Sequence, residues 1–201
     1  MPLVHPRVNV TKFNPAAVYP YELRRIDFQA AMQDVYDFFH DTNGFFIGKR
    51  LPRLEETLRK AILSGTVSDM LTASLAKHSR NLVQNRYHNG HPDLIVGGLY
   101  QNNSVKAGEE GVEIKTTRNP GGAVDTHGAR KQWMCVFVYE VDEVTEPAYD
   151  RNPLIFREVY LAQVEPDDFR KNPRSDLGTR TATLDRDGIQ KLRAGWIYRD
   201  R

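Results

Sequence analysis

The sequence predicts an α/β (α+β) domain, with a central mixed β-sheet flanked by helices and a helical N-terminal portion. Three observations carry that expectation. Apolar residues recur at three- and four-residue intervals through the first two-fifths of the chain. After Asn89-Gly90 the period shifts to the alternating and continuous apolar runs of strands. The 201 residues, 40% hydrophobic and 27% charged, suit one compact domain with a substantial core.

In chain order, Pro2, Pro6, Pro15 and Pro20 make residues 1–20 an extended arm. Residues 21–85 read as mainly helical. Ile26, Phe28, Met32, Val35 and Phe39, widened by Ala31 and Phe38, predict an amphipathic helix from Tyr21 to His40. Asn43-Gly44 should end it, with Phe45-Phe46-Ile47 packing back. Pro52 opens a second helix over Arg53 to Leu63, stopped by Ser64-Gly65. A third runs from Thr66 to about Val83 on Val67, Met70, Leu71, Leu75 and Leu82. Residues 90–165 hold the sheet core: Leu94-Ile95-Val96, an alternating Val112 to Thr116, the strongly β-prone Trp133 to Val141, and Phe156 to Val164. Polar, glycine-containing connections over Gly97 to Gly111 and Arg118 to Arg130 join them. Residues 166–201 form a C-terminal elaboration. There Thr181 to Leu184 reads as a short strand, Asp185 as the cap of a helix through Arg193, and Trp196-Ile197-Tyr198 as a terminal strand. With no internal repeat or low-complexity tract, residues 1–201 read as a single domain.

Charge alone does not mark a polyanion partner: 28 Lys+Arg against 26 Asp+Glu leave only +2. Cys135 is the only cysteine, which excludes an internal disulfide and a cysteine-based zinc cluster. Inside the apolar run Trp133 to Val138 it reads as a buried structural thiol. His88, His91 and His127 occur without an H-E-x-x-H helix, so zinc chemistry is disfavoured and His91 is assigned to ordering the turn before Asp93. Met1 to Val10 has no apolar stretch of the signal-peptide kind. No segment approaches the roughly 20 apolar residues of a membrane span. The expectation is a cytoplasmic protein with no membrane partner.

The chemistry concentrates in His91-Pro92-Asp93-Leu94-Ile95-Val96 and Val112-Glu113-Ile114-Lys115-Thr116-Thr117. On a strand, Val112, Ile114 and Thr116 point to one face while Glu113 and Lys115 share the other, about 7 Å apart. Asp93 sits where the chain enters a neighbouring strand, so pairing of the two strands lets Asp93 and Glu113 converge on a hard divalent cation. Carboxylate oxygens suit magnesium, which keeps several waters. Such a site can neutralise a scissile phosphate and activate water, while Lys115 stabilises the pentavalent state. Whether Lys115 is also a general base depends on a depressed pKa.

Pro92-Asp93, nineteen intervening residues and then Glu113-Ile114-Lys115 resemble the PD-(D/E)xK nuclease superfamily, which includes many type II restriction endonucleases. A second Pro-Asp, Pro166-Asp167, is followed by no acidic-x-Lys. The match is direct over about residues 90–141. The resemblance implies a restriction-endonuclease-like central sheet, metal ligation by Asp93 and Glu113, and a catalytic or electrostatic role for Lys115. It implies one or two Mg2+ ions per site, with Mn2+ able to substitute. The backbone of Ile114 and a helix carboxylate would be further ligands, with Glu22 chosen over Glu55 and Glu56. The implied activity is hydrolysis of double-stranded DNA by a homodimer, with a companion DNA methyltransferase in the same system. The alternatives are a repair or recombination nuclease of the same superfamily and a non-catalytic nucleic-acid-binding module.

DNA contacts are expected on the connection leaving the second half of the motif. Arg118, Asn119, His127, Arg130, Lys131 and Gln132 can meet phosphates or base edges, and Gly121-Gly122 allows close backbone approach. Arg80, Arg86, Arg170, Lys171, Arg174 and Arg180 are scattered basic residues for which surface solvation is the default.

Overall fold

The computed structural model describes residues 3–122, 124–126, 128–171 and 181–200. His127, Arg174 and Arg180 lie outside the described residues. The architecture is mixed α+β, as the sequence predicts: four helices, a six-stranded sheet and a three-stranded sheet among the described residues.

Helix α1 (Arg25–Gly48) starts where the Asp27 carboxylate accepts the Arg24 backbone amide at 2.8 Å, satisfying one donor of the first turn. The expected break at Asn43-Gly44 does not occur. Asn43 is buried: its Nδ2 donates to Glu55 and its Oδ1 accepts from the Leu54 amide, both at 2.8 Å. The polar capacity that often ends a helix is thus spent docking α2 (Leu54–Thr57) onto α1. Phe45 and Ile47 continue the helix and stay exposed rather than packing back, and Ile26 and Phe38 are exposed beside the buried stripe. Pro52 opens only the single turn of α2. Ser64-Gly65 lies inside α3 (Lys60–His78), and the Leu82-Val83 end of the expected third helix belongs to strand β1 (Leu82–Gln84). Tertiary pairing with Leu94–Val96 overrides the helical period there.

The larger sheet contains β1, β2 (Leu94–Val96), β3 (Gly111–Thr117), β5 (Gln132–Glu140), β6 (Ile155–Val164) and β9 (Trp196–Arg199), in the order β1-β2-β3-β5-β6-β9. Only the β3–β5 pair is parallel. One face packs against α1 and α3, joining Phe28, Met32, Val67 and Leu71 to Ile114, Cys135, Phe137 and Phe156. The other face buries Met134, Val136, Tyr160 and Val164 against Ala182, Leu184 and Leu192. These last residues come from β8 (Ala182–Leu184) and α4 (Arg186–Ala194), whose first turn is capped by Asp185 as expected. The smaller sheet runs β4-β8-β7, from β4 (Asp125–Thr126) and β7 (Phe169–Lys171). The sequence reading missed both: β4 lies within a connection read as polar and irregular. With layers on both faces, the central strands are apolar without alternation, which is why 133–141 is nearly continuous. The extended arm pairs with the β9 edge: the Asn14 amide donates to the Ile197 carbonyl at 2.9 Å, and Phe13 bridges Tyr198. No helix among the described residues is long and apolar enough to cross a membrane.

Candidate active site

The β2–β3 ladder places the two carboxylates together. Leu94 pairs with Val112 and Ile95 with Gly111, so continuing the register by one residue sets Asp93 opposite Glu113. The ladder stops there. Beyond Val112 the β2-facing edge of β3 is open, and the Asp93 Oδ2 accepts the Ile114 amide at 2.8 Å in place of a strand partner. The Ile114 carbonyl, on that same edge, accepts the Ser68 hydroxyl of α3 at 3.3 Å. Gly111 makes the close approach possible. Its φ is +156°, and a Cβ there would lie 2.0 Å from the Leu94 carbonyl oxygen.

Glu113 and Lys115 lie on the face of their register partners Met134 and Val136, opposite the helix-facing Ile114. Glu113 is 2% exposed. Its Oε1 accepts from Lys115 Nζ at 2.5 Å, and its Oε2 lies 3.2 Å from His91 Nδ1. Burial would raise the Glu113 carboxyl, but the His91 hydrogen bond and the Lys115 charge hold it below the ordinary carboxylate range. Asp93 moves the other way, raised by burial and by the neighbouring Glu113 charge. Burial alone would depress Lys115, yet Glu113 and Asp93 outweigh it and keep the ammonium protonated. The shift runs opposite to the depression that a neutral amine would need.

His91, Asp93, Ile114 and Lys115 line a cavity of about 470 Å³ together with Gly65, Ser68 and Asp69 of α3, while Glu113 stays buried behind them. The helix carboxylate in that lining is Asp69, which the sequence reading did not consider. Glu22 lies instead in the turn before α1 and is exposed; Glu55 is bound to Asn43, and Glu56 is paired with Arg151. The signal for Asp69 was present as the small and polar face Gly65, Ser68, Asp69 and Thr72, at helical spacing beside the apolar stripe. His91, assigned only to the turn, also holds Glu113 in place.

The proposed DNA-contacting residues separate. Asn119 lines a cavity of about 370 Å³ that shares Lys115 with the one beside Asp93. Arg130 is half-buried and close enough for its charge to bear on Lys115. Arg118 is not brought to the carboxylates. It follows the Ile114 parity, pairs with Glu143 at 2.6 Å and borders a separate cavity of about 530 Å³ with Gly121, Tyr160 and Arg193. Lys131 is exposed and paired with Glu165 at 3.4 Å, and Gln132 is buried in β5.

The donor set fits a hard divalent cation: the Asp93 and Glu113 carboxylates, the Ile114 carbonyl on the open strand edge and Asp69 across the cavity all offer oxygen. As it stands, each Glu113 oxygen is held by a neighbour, so ligation draws one of them away from Lys115 or His91. Among the described residues, no preassembled group of three or more His, Cys, Asp or Glu side chains is poised as a metal cluster. No model of a known protein family matches this chain, and neither does any curated protein.

Proposed function

We propose that the protein is a magnesium-dependent endonuclease acting on double-stranded DNA, of the type II restriction kind. The observation that carries this reading is the register that sets Asp93 against Glu113 at an open strand edge, with Lys115 ion-paired beside them. A carboxylate lining the cavity, Asp93, with a second buried just behind it, Glu113, repels a phosphate unless a cation stands between, and binding alone does not call for such a pair. Asp93, Glu113 and the Ile114 carbonyl would hold Mg2+, with Asp69 within the same cavity. When bound, the ion neutralises the scissile phosphate and lowers the pKa of a water. Lys115 places its ammonium where charge accumulates in the pentavalent state and is not consumed by proton transfer. Asp93 is fixed by the Ile114 amide and Glu113 by His91, so neither carboxylate has to be ordered when substrate arrives. A two-fold dimer would match a symmetric duplex target.

Purified protein incubated with mixed-sequence plasmid and linear duplex should cleave them with Mg2+ or Mn2+ and not with chelator. Glu113→Ala should lower the rate by about 10²–10³-fold or more. A chain that leaves DNA intact in magnesium, or cuts as well with Glu113→Ala, overturns the reading. Discrete fragments from intact duplex favour restriction, whereas preference for junctions or mismatches favours repair.

A further inference from the structure

Sequence reasoning looked for DNA contacts after Lys115, but an independent feature stands on the other side of the carboxylates. The turn between β1 and β2 forms a cavity of about 450 Å³, and four of its lining residues, Asp69, Asn89, Gly90 and Asp93, also line the catalytic cavity. Its outer lip carries Gln84, Arg86, Tyr87 and His88, all exposed. Their side chains make no hydrogen bond or ion pair with the described residues.

Those unpartnered groups sit on a rigid base. The Asn85 side chain accepts from the Tyr87 and Val105 amides and donates to the Pro92 and Val105 carbonyls, at 2.8 to 3.1 Å. The Asn85 amide donates to the Asp93 carbonyl at 2.9 Å, tying the turn directly to the catalytic strand entry. A Cβ at Gly90 would meet the Val105 carbonyl oxygen at 2.4 Å, so the turn is packed against the 105 segment. The turn is therefore anchored both to Asp93 and to the 105 segment, while a cation, two rings and an amide face solvent from it. Such a surface binds with little ordering cost.

We propose that the 84–90 turn is a strand-gripping subsite for the nucleotides next to the scissile phosphate, with Arg86 on a backbone phosphate and Tyr87 against a base or sugar. This rests on the nuclease reading. The inner wall is acidic, through Asp69 and Asp93, and the lip is basic and aromatic. A phosphate chain entering the cavity is met by Arg86 and His88 before it reaches the carboxylates. Arginine on phosphate with an aromatic platform beside it is the pairing that single nucleotides and strand segments require.

The test uses the full-length chain and a labelled mixed-sequence duplex oligonucleotide, with calcium in place of magnesium so that binding is read apart from turnover. Cleavage of the same duplex in magnesium is run alongside. Arg86→Ala should weaken binding by about tenfold and reduce the slope of log affinity against log salt by about 0.9, the signature of one lost phosphate contact. Tyr87→Ala should weaken binding by about tenfold, and Tyr87→Phe should restore it. Lys49→Ala, an equal charge change on the exposed end of α1, should leave the slope unchanged. If the wild type cleaves and the turn variants bind like Lys49→Ala, the subsite is wrong and the nuclease reading stands. If the wild type neither binds nor cleaves, both fall. Unchanged melting temperatures for the exposed turn variants exclude misfolding as the cause.

Discussion

Asp93 and Glu113 face each other across two strands, yet their environments pull their protons in opposite directions. Glu113 is lowered, so it contributes stability that is present above its ordinary value and lost as pH falls through the depressed one. Asp93 is raised, so its contribution is complete below its ordinary value and is lost as pH rises through the raised one. In chelator at neutral pH, Asp93→Asn should therefore stabilise the fold and Glu113→Gln destabilise it, each by about 1–2 kcal/mol. The Asp93→Asn gain should shrink as pH falls from about 6 to about 4, and the Glu113→Gln loss only as pH falls further, from about 4 towards about 2. Melting curves across pH decide it; shifts of the same sign in both variants would mean that the asymmetry is absent. Lys115→Ala removes the cation between the two acids. It should lower kcat by about 10²–10³-fold and, in chelator, cost about 1–3 kcal/mol of stability. Both are read on one preparation, by single-turnover cleavage and by denaturant melts.

At the scale of elements, the helices test how local signals yield to packing. Gly44 lies well inside α1, and a methyl group added there would meet nothing within 4 Å, so Gly44→Ala should stabilise the protein by about 0.5–1 kcal/mol. A loss of stability there would restore the helix end expected at Asn43-Gly44. Gly111→Ala is the converse: the Cβ would strike the Leu94 carbonyl, and a loss of several kcal/mol, about 3 or more, is expected in urea titrations. The contrast explains what the sequence could disclose. Period-2 alternation in 112–116 and the apolar run in 133–141 are local, so β3 and β5 and the shared face of Glu113 and Lys115 were legible. Asn43-Gly44 and Ser64-Gly65 carry strong local stop signals that distant partners cancel, Glu55 and the α2 backbone in the first case. β1 and β4 are three and two residues long and exist through their pairing partners, which no local pattern reveals. Asp69 reached the site because α3 crosses the open edge of β3, a tertiary fact, whereas Glu113 and Lys115 were visible in the alternation of one strand and Asp93 in the residue that leads into its neighbour.

Across the whole molecule, the six-stranded sheet is enclosed by α1 and α3 on one face and by α4 and the small sheet on the other. Cys135 sits in the middle of that stack, fully buried, with its thiol raised by desolvation. A thiol reagent should label it only as fast as the chain unfolds, with the rate rising in step with denaturant. Rapid labelling of the native protein would contradict the two-layer enclosure. The arm pairs with β9 through Asn14 and Trp196, residues 182 apart in sequence. In a chain still being synthesised, the arm thus precedes the strand that receives it by 182 residues. A product halted before Trp196 would leave both the arm and the outer side of β6 without a mate.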